Sequence, residues 1–226
     1  MTLLVKICGL STPETLDTAL DAGADLVGFV FFPASPRHLT LSQARALGAR
    51  VRGRAAKVAL SVDADDATLA AVVETLRPDL LQLHGSESPE RVAAVRRRFG
   101  LPVMKVVAIA ERSDLDVAAD YAAVADRLLF DARPPRDATR PGGLGQKFDW
   151  RLLERVEASI PFMLSGGLDA DNVGEALAIT RAAGVDVSSG VERAPGEKDP
   201  DKIRAFIRAA RQAWASFTAS KQASIA

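Results

Sequence analysis

Eight short apolar runs alternating with longer stretches of helical periodicity leave this 226-residue chain few folds to choose from. Residues 3–7, 26–31, 57–62, 80–83, 103–109, 128–130, 162–164 and 185–187 have the length and content of buried strands. Helices are expected to begin near Pro13, Leu41, Asp66, Pro89, Leu115, Trp150, Asn172 and Pro200. Strands that alternate with helices build parallel sheets. Eight such units in a chain of this length read as α/β architecture, a single (β/α)8 TIM barrel. A doubly wound open sheet uses the same alternation and is the competing reading, because alternation alone does not show closure.

Several boundaries carry their own chemistry. Thr12-Pro13-Glu14 supplies an N-cap, a proline at the first helical position and an acid near the positive end of the helix dipole; Asp199-Pro200-Asp201 repeats the pattern. In the last helix Ile203, Phe206, Ile207, Ala210, Trp214 and Phe217 recur at spacings of three and four, which makes one apolar face. The barrel domain is expected to span 1–217. Residues 218–226, small and polar, are expected to fray as a flexible tail. No linker divides the chain. The least regular stretch, 132–147, holds Arg133-Pro134-Pro135-Arg136 and Pro141-Gly142-Gly143-Leu144-Gly145, and a loop that long in a barrel is more often a lid than a boundary.

Composition narrows the partners. Basic and acidic residues balance at 29 each, so neither a nucleic-acid face nor an acidic tail is indicated. The single cysteine makes no intrachain disulfide, which suits a reducing compartment. No run approaches the roughly 18 apolar residues of a membrane span, and no secretory leader is evident. A cytoplasmic protein without membrane association is expected. Two separated histidines and one cysteine lack metal-ligand spacing, and no nucleophile elbow, Walker loop or dinucleotide fingerprint stands out.

In parallel α/β proteins chemistry gathers at the C-terminal ends of the strands. Cys8 follows the first strand and Asp131 the sixth; burial there can make a carboxylate a general acid. Each has a bland alternative, a small core thiol and a turn-capping aspartate. Leu164-Ser165-Gly166-Gly167 and Val187-Ser188-Ser189-Gly190 follow strands seven and eight, where barrels often bind phosphate on backbone N–H groups. Arg37 sits in a loop stiffened by Pro33 and Pro36, and a fixed guanidinium suits a bidentate grip on a carboxylate; a solvated surface arginine is the alternative. Gln82 and His84 share one face of strand four, opposite Leu81 and Leu83, so His84 either touches ligand or is a satisfied core histidine. His38 is expected to be exposed. Lys6 shares a face with Cys8, and either it or Lys105 stabilises a thiolate or pairs with a buried acid.

Taken in order, Val5-Lys6-Ile7-Cys8-Gly9, Gly28-Phe29-Val30-Phe31 with Ser35-Pro36-Arg37, Gln82-Leu83-His84-Gly85, Phe130-Asp131, Gly142-Gly143-Leu144-Gly145 with Phe148-Asp149-Trp150, Leu164-Ser165-Gly166-Gly167-Leu168 and Gly184 through Glu192 resemble the phosphoribosylanthranilate isomerase family of tryptophan biosynthesis. The likeness runs from residue 3 to about 210. It implies a cofactor-free Amadori rearrangement of N-(5′-phosphoribosyl)anthranilate, in which Asp131 protonates the ring oxygen and Cys8 removes the C2′ proton. By the same resemblance Arg37 holds the anthranilate carboxylate. The N–H groups around Gly166, Gly167, Ser189 and Gly190 hold the phosphate, and His84 and Asp186 line the pocket. Leu144 departs from the pattern, since a small hydroxyl residue is expected at that place.

Two other readings compete. The related histidine-pathway isomerase acts on another aminoaldose phosphate, but an aspartate would be expected in place of Cys8 and a second phosphate grip beside the one evident here. A non-catalytic barrel that binds a sugar phosphate would tolerate loss of Cys8 or Asp131, and both are present. With no long apolar edge or heptad in view, a monomer is expected ahead of a homodimer.

Overall fold

The computed structural model describes residues 2–135, 137–154, 156 and 160–223. Eight parallel strands close into a barrel in chain order: β1 (Leu4–Cys8), β2 (Leu26–Phe31), β3 (Ala56–Ser61), β4 (Leu80–Leu83), β5 (Val103–Ile109), β6 (Arg127–Ala132), β7 (Phe162–Leu164) and β8 (Gly184–Val187). Closure rests on β8 returning to β1, with Val5 opposite Val185 and Lys6 opposite Asp186. This pairing excludes the open sheet. Cys8 and Asp131 belong to the strands rather than to the turns after them, for the ladder carries them opposite Gly28 and Ala108.

The helices are α1 (Pro13–Asp21), α2 (Leu41–Val51), α3 (Asp66–Leu76), α4 (Pro89–Phe99), α5 (Ala118–Ala122), α6 (Val173–Thr180) and α7 (Pro200–Ala223). Side-chain caps start them where the sequence placed them. Thr12 accepts from the Thr15 N–H at 3.3 Å, Thr40 and Gln43 form a reciprocal capping box, and Asp65 and Ser88 cap α3 and α4. Such caps contribute about 1 kcal/mol each.

Two expected helices are shorter. Near Leu115 a 3₁₀ turn (Arg112–Leu115) precedes the five-residue α5. At Trp150 the described residues form one 3₁₀ turn, Trp150–Leu153, which buries Trp150 and Leu153; residues 155 and 157–159 lie outside the described set. The last helix is longer than expected. It passes Phe217 and runs to Ala223, through residues such as Ala215 and Ala219 that favour helix. Of the expected tail, residues 224–226 lie outside the described residues.

Strand alternation divides the apolar residues into two populations. Val5, Ile7, Val27, Phe29, Leu81, Leu83 and Phe130 join the layer shared with the helices. There Ile203, Phe206, Ile207 and Ala210 of α7 are essentially inaccessible. Each fully buried Ile or Phe side chain contributes about 1.5–3 kcal/mol. Facing the barrel axis, Leu26, Val58, Leu80, Met104, Val106, Leu129 and Met163 form a second cluster, and Cys8, Val30 and Leu60 form a small third one. Between them sit the buried polar groups Lys6, Gln82 and Asp186. The barrel is filled by side chains, so its chemistry is confined to the mouth.

After β8 the chain makes a 3₁₀ turn (Ser189–Val191) and then a small antiparallel hairpin, β9 (Glu192–Ala194) and β10 (Glu197–Lys198). The sequence reading did not foresee the hairpin. Among the described residues, no helix is long and apolar enough to cross a membrane.

Candidate active site

A cleft of about 780 Å³ opens over the C-terminal ends of the strands. Of the residues singled out from the sequence, Cys8, Arg37, His84, Asp131, Gly166, Gly167, Asp186 and Ser189 line it together. Gly190 does not. It lies directly against the Leu168 carbonyl, so its missing side chain lets the loops after β7 and β8 nest. His38 is exposed, as expected.

Cys8 is 4% exposed. A Cβ at Gly28 on the neighbouring strand would fall 2.9 Å from its Sγ and 3.2 Å from Lys6 Nζ, so glycine at that position makes room for both side chains. The Lys6 ammonium, fully buried, donates to Asp186 Oδ1 at 2.8 Å. Burial alone would favour neutral lysine, but the Asp186 carboxylate and Cys8 outweigh it and the Lys6 pKa is raised. For the thiol the balance goes the other way. Burial pushes Cys8 above its ordinary range, Lys6 pulls it down, and Asp186 adds to the rise. Lys6 therefore limits the cost of a thiolate without abolishing it.

On the far side Asp131, 7% exposed, accepts the Ala132 N–H at Oδ1. Its Oδ2 lies 3.4 Å from His84 Nε2, which makes no hydrogen bond in this geometry. The other ring nitrogen, Nδ1, is 3.3 Å from Gln82 Nε2. Gln82 and His84 face the axis as the alternation required, and Gln82 Oε1 has no partner among the described residues.

Arg37 is 3% exposed, which excludes a solvated surface role. Its fork is already occupied: Nε and Nη2 donate to the two carboxylate oxygens of Glu192 at 2.7 Å each, and Nη2 also donates to the Gly143 carbonyl at 3.0 Å. Only Nη1, in contact with Gly143, makes no hydrogen bond to a described residue. The bidentate grip expected of Arg37 is thus made on the protein's own Glu192. Lys198, from the unforeseen hairpin, donates to Glu192 Oε1 at 2.7 Å and to the Ser188 carbonyl at 2.8 Å. Burial lowers the Lys198 pKa to about 8 against the opposing pull of Glu192. Glu192 is held below the ordinary carboxylate range, because Arg37 and Lys198 together outweigh its burial. Lys105 meets the plainer of its two alternatives: it pairs with Glu87 at 2.7 Å, away from Cys8.

The opposite wall is made of backbone. Gly166 and Gly167 have φ of +89° and +64°, which only glycine adopts readily. None of the hydrogen bonds among the described residues uses the N–H of Gly166, Gly167, Ser189 or Gly190. Three of these unclaimed donors, on Gly166, Gly167 and Ser189, belong to residues that line the cleft, and unpaired N–H groups gathered in this way suit an anion.

Comparison with known proteins agrees with this geometry. The family model for N-(5′-phosphoribosyl)anthranilate (PRA) isomerase matches residues 5–209. The chain belongs to the phosphoribosylanthranilate isomerase family. It is 68% identical over 213 residues to the isomerase of Rhodopseudomonas palustris, covering 94% of this chain and all of that one. Against the isomerase of Nitrobacter winogradskyi it is 68% identical over 216 residues, 96% of each chain. The crystal structure of the Thermotoga maritima isomerase covers 93% of this chain and 100% of its own, with TM-score 0.85 and 33% identity. A phosphoribosylanthranilate isomerase in complex with reduced 1-(o-carboxyphenylamino)-1-deoxyribulose 5-phosphate gives TM-score 0.82 at 32% identity, covering 93% of this chain and 100% of its own. This chain is accordingly an isomerase of tryptophan biosynthesis built on a TIM barrel.

Two charged residues of the site were given no role from the sequence. Glu192 and Lys198 gave no local signal, because their partners Arg37 and Ser188 meet them only once the barrel closes. Leu144, the departure in the lid segment, lines the cleft and offers it an apolar side chain.

Proposed function

We propose that the chain catalyses the Amadori rearrangement of N-(5′-phosphoribosyl)anthranilate to 1-(2-carboxyphenylamino)-1-deoxyribulose 5-phosphate, with Asp131 as general acid and Cys8 as general base. The observation that carries this reading is the convergence on one cleft of a thiol beside an ammonium, a carboxylate beside an imidazole, and a wall of unclaimed N–H donors. Asp131 delivers its proton to the furanose ring oxygen as the C1′–O bond breaks, which leaves a Schiff base at C1′. The Cys8 thiolate takes the C2′ proton, and the electron pair moves into an enolamine that tautomerises to the aminoketose. Proton transfers of this kind contribute about 10²–10⁴-fold each. His84, 3.4 Å from Asp131, is placed to exchange a proton with it, and Asp186 holds Lys6 against the thiol.

Binding follows the same division. The N–H groups of Gly166, Gly167, Ser189 and Gly190 take the phosphate, and Arg37 Nη1 takes the anthranilate carboxylate, so the substrate is fixed at both ends across the mouth. We assign the catalytic unit to 1–217, which contains every residue that lines the cleft. No cofactor enters this scheme. The cytoplasm, where a lone thiol stays reduced, is the proposed compartment. A monomer is the proposed state, in keeping with Leu41 and Val117 as the exposed large hydrophobics among the described residues.

The test is loss of phosphoribosylanthranilate fluorescence, with substrate generated in situ, for wild type, Cys8→Ala and Asp131→Asn. Turnover that collapses in both variants supports the acid–base pair. Turnover that survives either change removes that residue's role.

A further inference from the structure

Arg37 is held by a device that closing the barrel does not require. Its Nε/Nη2 edge lies against Glu192, and the Glu192 carboxylate is shared with Lys198, whose Nζ also reaches the carbonyl and hydroxyl of Ser188 at 2.8 and 3.2 Å. The Ser188 hydroxyl in turn donates to the Cys8 carbonyl at 3.2 Å. All three ions are buried, with side-chain exposures of 4% for Arg37, 4% for Glu192 and 0% for Lys198. Two cations and one carboxylate leave the cluster at +1, whereas the adjacent Lys6–Asp186 pair balances to zero. A buried charge without a partner is unfavourable, and an anion placed against Nη1 neutralises it.

We propose that Glu192 and Lys198 are positioning residues for carboxylate recognition: Glu192 occupies one edge of Arg37 so that only Nη1 meets the substrate carboxylate, and Lys198 ties that grip to the phosphate-side loop through Ser188. This rests on the reading of Arg37 as the carboxylate grip. It deepens that reading, because one ion chain then sets the distance between the two ends of the substrate. Recognition of the aryl acid and of the phosphate are mechanically linked through the β9–β10 hairpin.

The experiment compares two ligands by calorimetry: reduced 1-(o-carboxyphenylamino)-1-deoxyribulose 5-phosphate and the same compound without its carboxylate. The ratio of their affinities is the carboxylate advantage. Glu192→Gln is expected to cut this advantage at least tenfold while the des-carboxy ligand binds within twofold of wild type. Loss of Glu192 also removes a carboxylate that favours the charged form of buried Lys198, which offsets part of the gain in cluster charge. Lys198→Met is expected to weaken both ligands, since it releases Ser188 as well. An unchanged or increased advantage in Glu192→Gln, or equal weakening of both ligands by that change, would overturn the proposal. Should Glu192→Gln fail to fold by circular dichroism, Glu192→Asp carries the same comparison with a threefold loss or more expected. Arg37→Met separates the two claims: if the advantage persists there, the grip itself is misassigned; if it vanishes there but persists in both Glu192 variants, only the positioning role fails.

Discussion

The two sides of the barrel mouth are built on opposite principles. Around β1 and β8 the buried charges are engaged with one another: Lys6 with Asp186, and Arg37 and Lys198 sharing Glu192. Around β4 and β6 the polar groups are left short. His84 Nε2 and Gln82 Oε1 are buried without hydrogen-bond partners among the described residues, and Asp131 has one backbone donor on Oδ1. A buried unsatisfied group costs about 1–3 kcal/mol. The paired side fixes geometry before substrate arrives, and the unpaired side holds capacity that a ligand can recover. The Cys8 thiol, the proposed base, belongs to the first side, and Asp131, the proposed acid, to the second.

The most severe way to break this contrast is to remove the two groups proposed to react. Cys8→Ala and Asp131→Asn are each expected to lower kcat by about 10²–10⁴-fold. A Cys8→Ala enzyme that kept a tenth of wild-type kcat would reduce the paired side to scaffold. Next comes Lys6→Met, which strands Asp186 in the interior and should lower the unfolding free energy by about 3–5 kcal/mol in a urea titration. His84→Asn should cost about 1–3 kcal/mol or less in stability, and a loss as large as that of Lys6→Met would show that the β4–β6 side is not under-paired after all.

A pH profile sharpens the comparison without mutation. Because burial raises the Cys8 pKa, the free enzyme holds mostly thiol at neutrality, and the thiolate fraction grows as pH rises toward that raised value. The expectation is that kcat/KM climbs through and beyond the ordinary thiol pKa of about 8.5. A plateau already reached at neutral pH would show that Cys8 is not the base or that Lys6 outweighs the burial of its thiol. The same shift has a sign for stability: a thiol with a raised folded pKa contributes fully below its unfolded pKa and loses that contribution as pH rises through the folded one.

How far the sequence reached can be read from particular residues. Thr12-Pro13 announced a helix start because the capping oxygen and the N–H that donates to it lie three residues apart. Gln82 and His84 could be placed on the axial face because strand alternation is a property of neighbours. The one-turn helix at Trp150 and the run of α7 to Ala223 were misjudged at their ends, where packing and propensity compete over a few residues.

By itself, then, the sequence determined eight strand–helix units, their caps, and the arrival of Cys8, Asp131 and the late glycines at one kind of strand end. Only the tertiary structure decided that β8 closes on β1, that Arg37 spends its fork on Glu192, and that Lys198 reaches Ser188. The reason is range. Periodicity and capping are set by groups within one or two turns of each other, whereas Lys6 and Asp186 stand 180 positions apart and meet through the register of a closed barrel.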